Sequence, residues 1–307
     1  MLNKNNLVKY LLALIICVAF FVFIQKYTGW DEVIHLIIKL NFSTIIILFL
    51  LIFSSYITRA LRIYYYFNSD YQGSFKTYLK ISVYHNFLNN ILPMRTGELS
   101  YPFLLKKNLD MSIKNSSSSL IWFRFLDLIT LITLILLVQI TISTLLSQST
   151  FFYFIIGLSF IAPAILFYSA KYISIPLDSN SNLFVKLLNF LVTSIPKTTK
   201  GLISSWFFTI STWFLKLSVF AWFISSSLQI DLSNGLLAAI ASEFTSILPI
   251  HSFAGFGTYE AGIIGTLAHQ DLTDTKAIVV SATSLHLIIL TSTILSTLVF
   301  LFVKEKK

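Results

Sequence analysis

Six long apolar stretches constrain this chain more than any other feature of its sequence. They cover residues 8–24, 44–67, 117–143, 151–170, 202–228 and 277–303. A helix needs about 20 mostly apolar residues to cross about 30 Å of hydrocarbon, so each stretch can span a bilayer. Charged residues make up 11% of the chain, against about 25% in a typical soluble domain. We therefore predict an all-α, polytopic integral membrane bundle with six full spans.

Two further apolar segments are interrupted in the middle. Residues 75–105 contain Leu-Pro-Met-Arg-Thr-Gly-Glu at 92–98, and residues 235–268 contain Leu-Pro at 248–249 and Gly-Phe-Gly-Thr-Tyr-Glu at 255–260. One interrupted segment in each half is typical of inverted-repeat transporters. We predict two re-entrant hairpins within one transmembrane domain, whose halves are about 1–146 and 147–307. Two pairs of short spans are the alternative.

Polar segments between the spans predict the orientation of the chain, whose net charge is +9. Lys and Arg are enriched in cytoplasmic loops. If the N-terminus is cytoplasmic, the positive residues on that side include Lys4, Lys9, Arg59, Arg62, Lys76, Lys80, Lys106, Lys107, Lys114, Lys186 and Lys197. We expect both termini in the cytoplasm, a position in the cell membrane, and no nucleic-acid partner. Residues 171–200 are expected to form a cytoplasmic polar segment, and residues 25–42 a short amphipathic helix on the outer surface.

The first interruption carries one candidate site. Pro93 favours the first turn of a helix, so a helix N-terminus with free N–H groups is expected there. Arg95 and Glu98 are three residues apart and can pair, while Gly97 allows close approach by a ligand or another backbone. These features predict a phosphate site; a surface loop is the alternative.

The second interruption carries another candidate site after Pro249. Gly255 and Gly257 permit a turn, and a new helix is predicted to begin near Thr258. Glu260 would lie in its first turn, where it can cap the helix or face a cavity and bind a cation, a proton or an amine. The other ionisable residues singled out in this segment are Glu243 and His251.

Ionisable residues also occur inside the predicted spans, where each costs several kcal/mol unless it is paired or hydrated. Arg124 and Asp127 are three apart on the third span and can pair, either to line a site or to hold helices together. Lys216 lies near the middle of the fifth span. It can extend to the membrane surface only if the helix is shifted or tilted; otherwise it needs a carboxylate partner. The candidate partners are Glu243, Glu260 and Asp127. Three histidines, His85, His269 and His286, are predicted to be structural.

Several motifs are absent from the sequence. It has no phosphate-binding loop for ATP, no nucleophile elbow, no zinc-protease helix motif and no Cys/His metal spacing. We therefore predict no cofactor, no metal site, no catalytic residue and no enzymatic activity. Any transport would run downhill or be coupled to an ion gradient.

Together these residues resemble the transmembrane, flippase-like domain of lysylphosphatidylglycerol synthases. The resemblance extends from residue 8 to residue 303. It rests on Asn89-x-x-Leu92-Pro93-x-Arg95-x-Gly97-Glu98, Arg124-x-x-Asp127, and Leu248-Pro249 with Gly255-x-Gly257-x-x-Glu260. It implies a helical bundle with two re-entrant hairpins that moves an amphiphilic lipid between leaflets. It also implies a headgroup cavity lined by Arg95, Glu98, Arg124, Asp127 and Glu260.

The chain departs from this family at three points. His251-Ser252-Phe253-Ala254-Gly255 stands where the family usually has a proline and paired glycines, and Phe123 stands where a glutamate is common. The aminoacyl-transferase domain of the fused enzymes is missing, so we expect no synthesis of lysyl-lipid.

Two classes of function follow from these observations. The first is a transporter for a phospholipid, aminoacylated or not, or for a related envelope lipid. The alternative is a membrane-embedded glycosyltransferase-type enzyme or a scaffold acting on a polyprenyl-linked glycolipid. Expected partners are membrane lipids and an envelope-lipid biosynthetic enzyme supplied by another chain; the sequence leaves the oligomeric state open.

Overall fold

The structure is a computed structural model that describes residues 4–67, 71, 73–143, 149–170, 172, 182–247, 252–268 and 274–302. Within these residues the chain forms twelve α-helices and two 3₁₀ turns, and no strands. The first six helices are α1 (Lys4–Tyr27), α2 (Trp30–Lys39), α3 (Phe42–Phe67), α4 (Phe75–Ile91), α5 (Ser100–Leu109) and α6 (Ile113–Ile142). The other six are α7 (Thr150–Ala170), α8 (Leu183–Ser194), α9 (Thr199–Leu228), α10 (Leu232–Ile247), α11 (Thr258–Leu267) and α12 (Thr275–Phe302).

Six of these helices are long and apolar enough to cross a membrane. They are α1, α3, α6, α7, α9 and α12, and they coincide with the six predicted spans. Large apolar side chains are exposed along them; Phe151 and Phe154 on α7, for example, are 70% and 66% exposed. A contiguous apolar surface of this kind requires lipid or protein to cover it. The prediction of a multi-pass all-α membrane bundle is confirmed.

The two interrupted segments fold as hairpins. The 3₁₀ turn Pro93–Leu99, here called the first tip, joins α4 to α5, and the turn Phe253–Gly255, the second tip, lies between α10 and α11. Helices α5 and α11 have ten residues each, or about 15 Å, half the thickness of the hydrocarbon. Helices α10 and α11 pack against each other, so the second segment turns back on itself as a re-entrant hairpin does.

The chain divides into two compact units. Unit 1 comprises Met1–Tyr56, Val83–Ser100 and Phe214–Lys307, and unit 2 comprises Ile57–Ser82 and Tyr101–Trp213. Both tips lie in unit 1. The division into halves at residues 1–146 and 147–307 stays a prediction.

The core of unit 1 joins α1, α2 and α12 to the residue that directly follows the second tip. Phe20, Ile24, Val33 and Phe256 are buried together there. Helix α2 packs against α12, and Ser284 donates a hydrogen bond to the Val33 carbonyl over 3.2 Å. The predicted short helix between residues 25 and 42 is thus present, held by its one buried side chain, Val33.

The core of unit 2 is rich in aromatic residues from α3, α4, α5 and α6. Tyr78, Tyr101, Trp122 and Phe123 are buried in one cluster. The Trp122 indole N–H donates to the Ser205 hydroxyl over 3.0 Å, which ties α6 to α9. Buried tryptophans usually find such a partner for their polar edge.

The sequence predicts a polar segment over residues 171–200, but the structure contains a helix there, α8. Asn182 caps it by accepting a hydrogen bond from the Val185 N–H over 2.9 Å, and α8 packs against α6. Eight of its 12 residues are apolar, but 12 residues are too few for a span of about 20. A search for full spans therefore overlooks it.

Candidate functional site

The sequence predicts a helix N-terminus at Pro93, and the element that begins there is a 3₁₀ turn rather than an α-helix. Met94 and Arg95 adopt left-handed backbone angles, with φ of 57° and 56°, and α5 begins only at Ser100. Left-handed residues cannot continue a right-handed helix. Pro93 thus lies in the first turn of an irregular 3₁₀ element and not of an α-helix, and the phosphate site predicted there stays a prediction.

Gly97 closes the first tip onto the end of α4. A Cβ at this position would lie 2.3 Å from the Leu88 carbonyl oxygen and 2.5 Å from the Asn89 Cα. Such contacts exclude every side chain, so the close approach predicted for Gly97 is an approach to its own hairpin. Next to it, the Asn89 Oδ1 atom is buried without a hydrogen-bond partner among the described residues.

Arg95 and Glu98 form an ion pair on the first tip. Their side chains remain 13% and 23% exposed. The Thr96 hydroxyl donates to the Pro93 carbonyl over 2.9 Å, and the Ser100 hydroxyl donates to the Gly97 carbonyl over 2.5 Å. The pair thus lies on a turn held by side-chain-to-backbone hydrogen bonds, with both charges partly accessible.

The second tip also contains left-handed residues, but its glutamate is buried. Ala254 and Gly255 have φ of 50° and 78°, and α11 begins at Thr258 as predicted. Glu260 has no exposed surface. One of its oxygens accepts the Gly257 N–H over 2.8 Å, and the other lies 2.7 Å from the His286 Nδ1. Pro249 and His251, also predicted here, lie outside the described residues.

The sequence predicts a structural role for His286, and the structure places its side chain against Glu260. It is 4% exposed, and its ring centroid lies 4.7 Å from that of Tyr259 and 4.9 Å from that of Phe256. The sequence did contain one indication, since His286 is an ionisable residue inside a predicted span.

Lys216 finds its carboxylate partner in Glu243, one of the three candidates. The Nζ and Oε2 atoms are 2.7 Å apart, with Lys216 17% and Glu243 5% exposed. The ammonium group also lies 5.4 Å from the centre of the Phe220 ring. This pair connects α9 to α10 within unit 1.

The Arg124–Asp127 pair in unit 2 has a third member. Asp127 is 2.8 Å from the Arg62 Nη1 and 3.2 Å from the Arg124 Nη1, and it accepts the Trp213 indole N–H over 3.1 Å. Asp127 is 2% exposed, whereas the Arg124 side chain is 24% exposed. Asp127 therefore joins α3, α6 and α9, and Arg124 keeps partial access to its surroundings.

Arg62 is not one of the cytoplasmic loop charges among which the predicted orientation counts it. It is 6% exposed, contacts Asp127 and Thr209, and its guanidinium carbon lies 4.4 Å from the centre of the Phe123 ring. It is a buried member of a cluster rather than a loop charge at the end of the second span. The feature of the sequence that indicates this burial is the position of Arg62 inside the apolar stretch 44–67.

The two tips contact each other, and both contact α1. Unit 1 thus brings together the Arg95–Glu98 pair, the Glu260–His286 pair and the second hairpin, while unit 2 holds Arg62, Arg124 and Asp127. These are buried or partly buried ionisable groups on apolar helices, which at membrane depth mark substrate or ion pathways as well as structural pairs.

One of three comparisons with known proteins gives a match. A family model described as the lysylphosphatidylglycerol synthase TM region matches residues 10–298, nearly the whole chain. Searches of curated proteins and of solved structures give no match. The match includes five candidate spans, most of the sixth and both interrupted hairpins, and the chain belongs to the lysylphosphatidylglycerol synthase TM region family.

Proposed function

We propose that this protein moves a phospholipid, aminoacylated or not, or a related envelope lipid between the leaflets of the cell membrane. The observation that carries the proposal is the partly exposed Arg95–Glu98 ion pair on the first tip. Irregular backbone within a membrane protein is tolerated where it is buried in protein or lines a water-filled cavity. Interrupted helices form the substrate sites of many transporters.

The pair offers one group of each sign to a lipid headgroup. The Arg95 guanidinium matches a phosphate, to which it can donate two parallel hydrogen bonds, and Glu98 matches an ammonium group. A headgroup carrying both charges can replace the internal pair without leaving either side chain unpaired. Zwitterionic and aminoacylated lipids should therefore pass more readily than simple anionic lipids. The buried Oδ1 of Asn89 supplies a further acceptor beside Gly97.

The other charged residues have supporting roles in this proposal. Asp127 and Glu260 are buried and bonded to groups within their own units, so we propose that each stabilises its unit rather than contacts the headgroup. Lys216 and Glu243 brace α9 against α10. In unit 2, Arg124 is partly exposed and is proposed as a separate phosphate contact within that unit.

Purified protein in lipid vesicles tests the proposal. Trace lipids labelled on an acyl chain are added, and the fraction protected from a membrane-impermeant quencher is followed over time. Arg95→Ala should slow the movement of every phospholipid at least about tenfold, the loss expected when one charge-assisted hydrogen bond is removed. Glu98→Gln should slow only lipids with a cationic group. Lys276→Ala, which alters an exposed residue at the start of α12, is the control.

Wild-type rates in both tip variants would remove the headgroup site from the first tip. A transferase would instead release a covalent product from a polyprenyl-linked glycolipid without any partner. A scaffold would show no lipid movement, and its charged residues would tolerate alanine singly. Measurements on the same vesicles thus distinguish a transporter from a transferase and from a scaffold.

The proposed orientation, with both termini cytoplasmic, needs a second experiment. Cys17, the single cysteine, is replaced by serine, and single cysteines are placed at Met94, Thr96, Thr258 and Ala261. Labelling of the first two only from the cytoplasm and of the last two only from outside would support hairpins entering from opposite faces. Labelling of all four from one side would contradict it.

A further inference from the structure

Among the described ion pairs of unit 1, Glu260–His286 joins a carboxylate to an imidazole, whereas Glu98 and Glu243 are paired with an arginine and a lysine. The Oε1 and Nδ1 atoms are 2.7 Å apart, and the side chains are 0% and 5% exposed. We propose that this dyad is a proton-binding site that couples lipid movement to a proton gradient across the membrane. The inference rests on the proposed function for its coupling, though not for the proton site itself.

Both charge states of the dyad have a partner in the structure. Without the extra proton its net charge is −1, and the Gly257 N–H donates to the carboxylate over 2.8 Å. Glu260 also lies in the first turn of α11, where the helix dipole favours negative charge. With the extra proton the dyad is neutral overall, and the proton is shared between carboxylate and imidazole as a property of the pair. Neither state leaves a buried charge without support.

The surrounding charged groups are paired with one another. On α9 and α10, Lys216 pairs with Glu243, and on the first tip, Arg95 pairs with Glu98. The other titratable residues of the helices packed around the dyad are Lys4, Lys9, Tyr10, Cys17, Lys26 and Tyr27 on α1 and Tyr259 on α11, together with the exposed residues Asp31, Glu32, His35 and Lys39 on α2 and Lys276 on α12. Cys17 and Tyr259 are ordinarily uncharged at neutral pH. Binding a proton therefore changes the net charge of this buried region of unit 1.

The second tip is positioned to respond to that change. The hydrogen bond from the Gly257 N–H to Glu260 is charge-assisted, and it weakens as the shared proton lowers the negative charge on the carboxylate. Gly257 follows the second tip by two residues, and the second tip contacts the first tip, which carries Arg95 and Glu98. A proton on the dyad thus loosens the turn that contacts the proposed headgroup site.

One substitution separates the proton from the hydrogen bonds. In Glu260→Gln the amide oxygen can still accept the Gly257 N–H, and the amide nitrogen can donate to the His286 Nδ1. The fold is retained while the site loses its ionisable carboxyl group. His286→Gln removes the other half of the dyad and serves if the first variant is unstable. Glu32→Gln and His35→Gln on α2 are matched controls, because both residues are exposed.

Nitrogen NMR of histidine-labelled protein measures the proton site without any lipid movement. The His286 signal, assigned by its loss in His286→Gln, is followed from about pH 5 to about pH 8, and it should shift if the dyad binds a proton. In Glu260→Gln the midpoint of that shift should move, whereas Glu32→Gln should leave it unchanged. A His286 signal that stays constant over this range would overturn the proton site.

Vesicles with an imposed pH difference measure the coupling. In the wild type, one pH unit should shift the ratio of labelled lipid between leaflets by up to about tenfold for one proton per lipid. Glu260→Gln should still move lipid, but to a ratio that ignores the pH difference. A wild type that moves lipid yet ignores the gradient would overturn the coupling alone, as would variants that follow the gradient like the wild type. A wild type that moves no lipid would overturn the proposed function, and the NMR result would then stand for the proton site by itself.

Discussion

The two tips use the same local device in opposite ways. Each contains left-handed residues followed by a glutamate that bonds to a group three residues earlier. In the first tip that group is the Arg95 side chain, and Glu98 remains 23% exposed. In the second tip it is the Gly257 backbone N–H, and Glu260 has no exposed surface. One turn presents its charge, whereas the other turn buries its charge against α12.

In both tips the three-residue spacing determines which group the glutamate bonds to. The helices packed around each tip then determine whether that glutamate is exposed or buried. Glu260 gains His286 from α12, a residue 26 positions away, and its second oxygen is thereby occupied. Asp127 in unit 2 is a further buried carboxylate, contacted by two arginines and a tryptophan. The three carboxylates form a series from accessible to fully enclosed, which predicts how each variant should behave.

Asp127→Ala should have the largest effect on stability. It leaves the Arg62 guanidinium buried without its carboxylate, and breaking a buried pair in this way costs about 3–5 kcal/mol. Arg124→Ala is the matched control; its side chain is 24% exposed, and Asp127 keeps Arg62, so the cost should be about 1 kcal/mol. The free energy of unfolding is measured by denaturant titration in mixed micelles. Equal costs would show that Asp127 is not the centre of this cluster.

Glu260→Ala and Glu98→Ala test the contrast between the tips directly. The first removes the α11 cap and the partner of His286, at a cost of about 3 kcal/mol. The second removes a partly exposed pair, at a cost below about 1 kcal/mol, while lipid movement falls. Unfolding and lipid movement are measured on the same preparations. If Glu98→Ala proved as destabilising as Glu260→Ala, the first tip would be a structural element and not a headgroup site.

The sequence predicts most of this fold because the membrane imposes a length on each span. The six apolar stretches became α1, α3, α6, α7, α9 and α12 with small shifts at their ends. The helix start at Thr258 also follows from local sequence, since Gly257 tolerates a φ of 82° and Glu260 can cap the first turn. Helix α8 falls below the length criterion, so that criterion gives no indication of it.

The site was less predictable because its partners come from distant parts of the chain. Arg62 and Asp127 are 65 residues apart, and Lys216 and Glu243 are 27 apart; only the packing of spans brings each pair together. Spacing alone does find pairs within one turn, such as Arg95–Glu98. Spacing gives no indication that Met94 and Arg95, which follow Pro93, adopt left-handed backbone angles.

Glycine substitutions sharpen the comparison between the hairpins. Gly97→Ala places a methyl group 2.3 Å from the Leu88 carbonyl oxygen, and Gly262→Ala places one 2.7 Å from the Ser242 Cα. Both clashes are with backbone, so each should cost about 1–3 kcal/mol. Gly265→Ala, one turn along α11, meets nothing within 4 Å and should instead stabilise the helix by up to about 1 kcal/mol. A destabilising Gly265→Ala would mean that α11 is packed more closely than the structure shows.

The smallest effect is expected from relieving the left-handed backbone of the tips. Met94 and Ala254 have φ of 57° and 50°, a conformation that costs a residue with a side chain about 1–2 kcal/mol, whereas glycine loses about 0.5–1 kcal/mol of chain entropy. Met94→Gly and Ala254→Gly should each stabilise the protein by about 0.5 kcal/mol, measured as above. Thr96→Gly is the control, since it loses the hydrogen bond to the Pro93 carbonyl and relieves no left-handed angle; it should destabilise. If Met94→Gly raises stability but slows lipid movement while Ala254→Gly leaves movement unchanged, the strained conformation matters only in the tip that presents its charges, as the comparison requires.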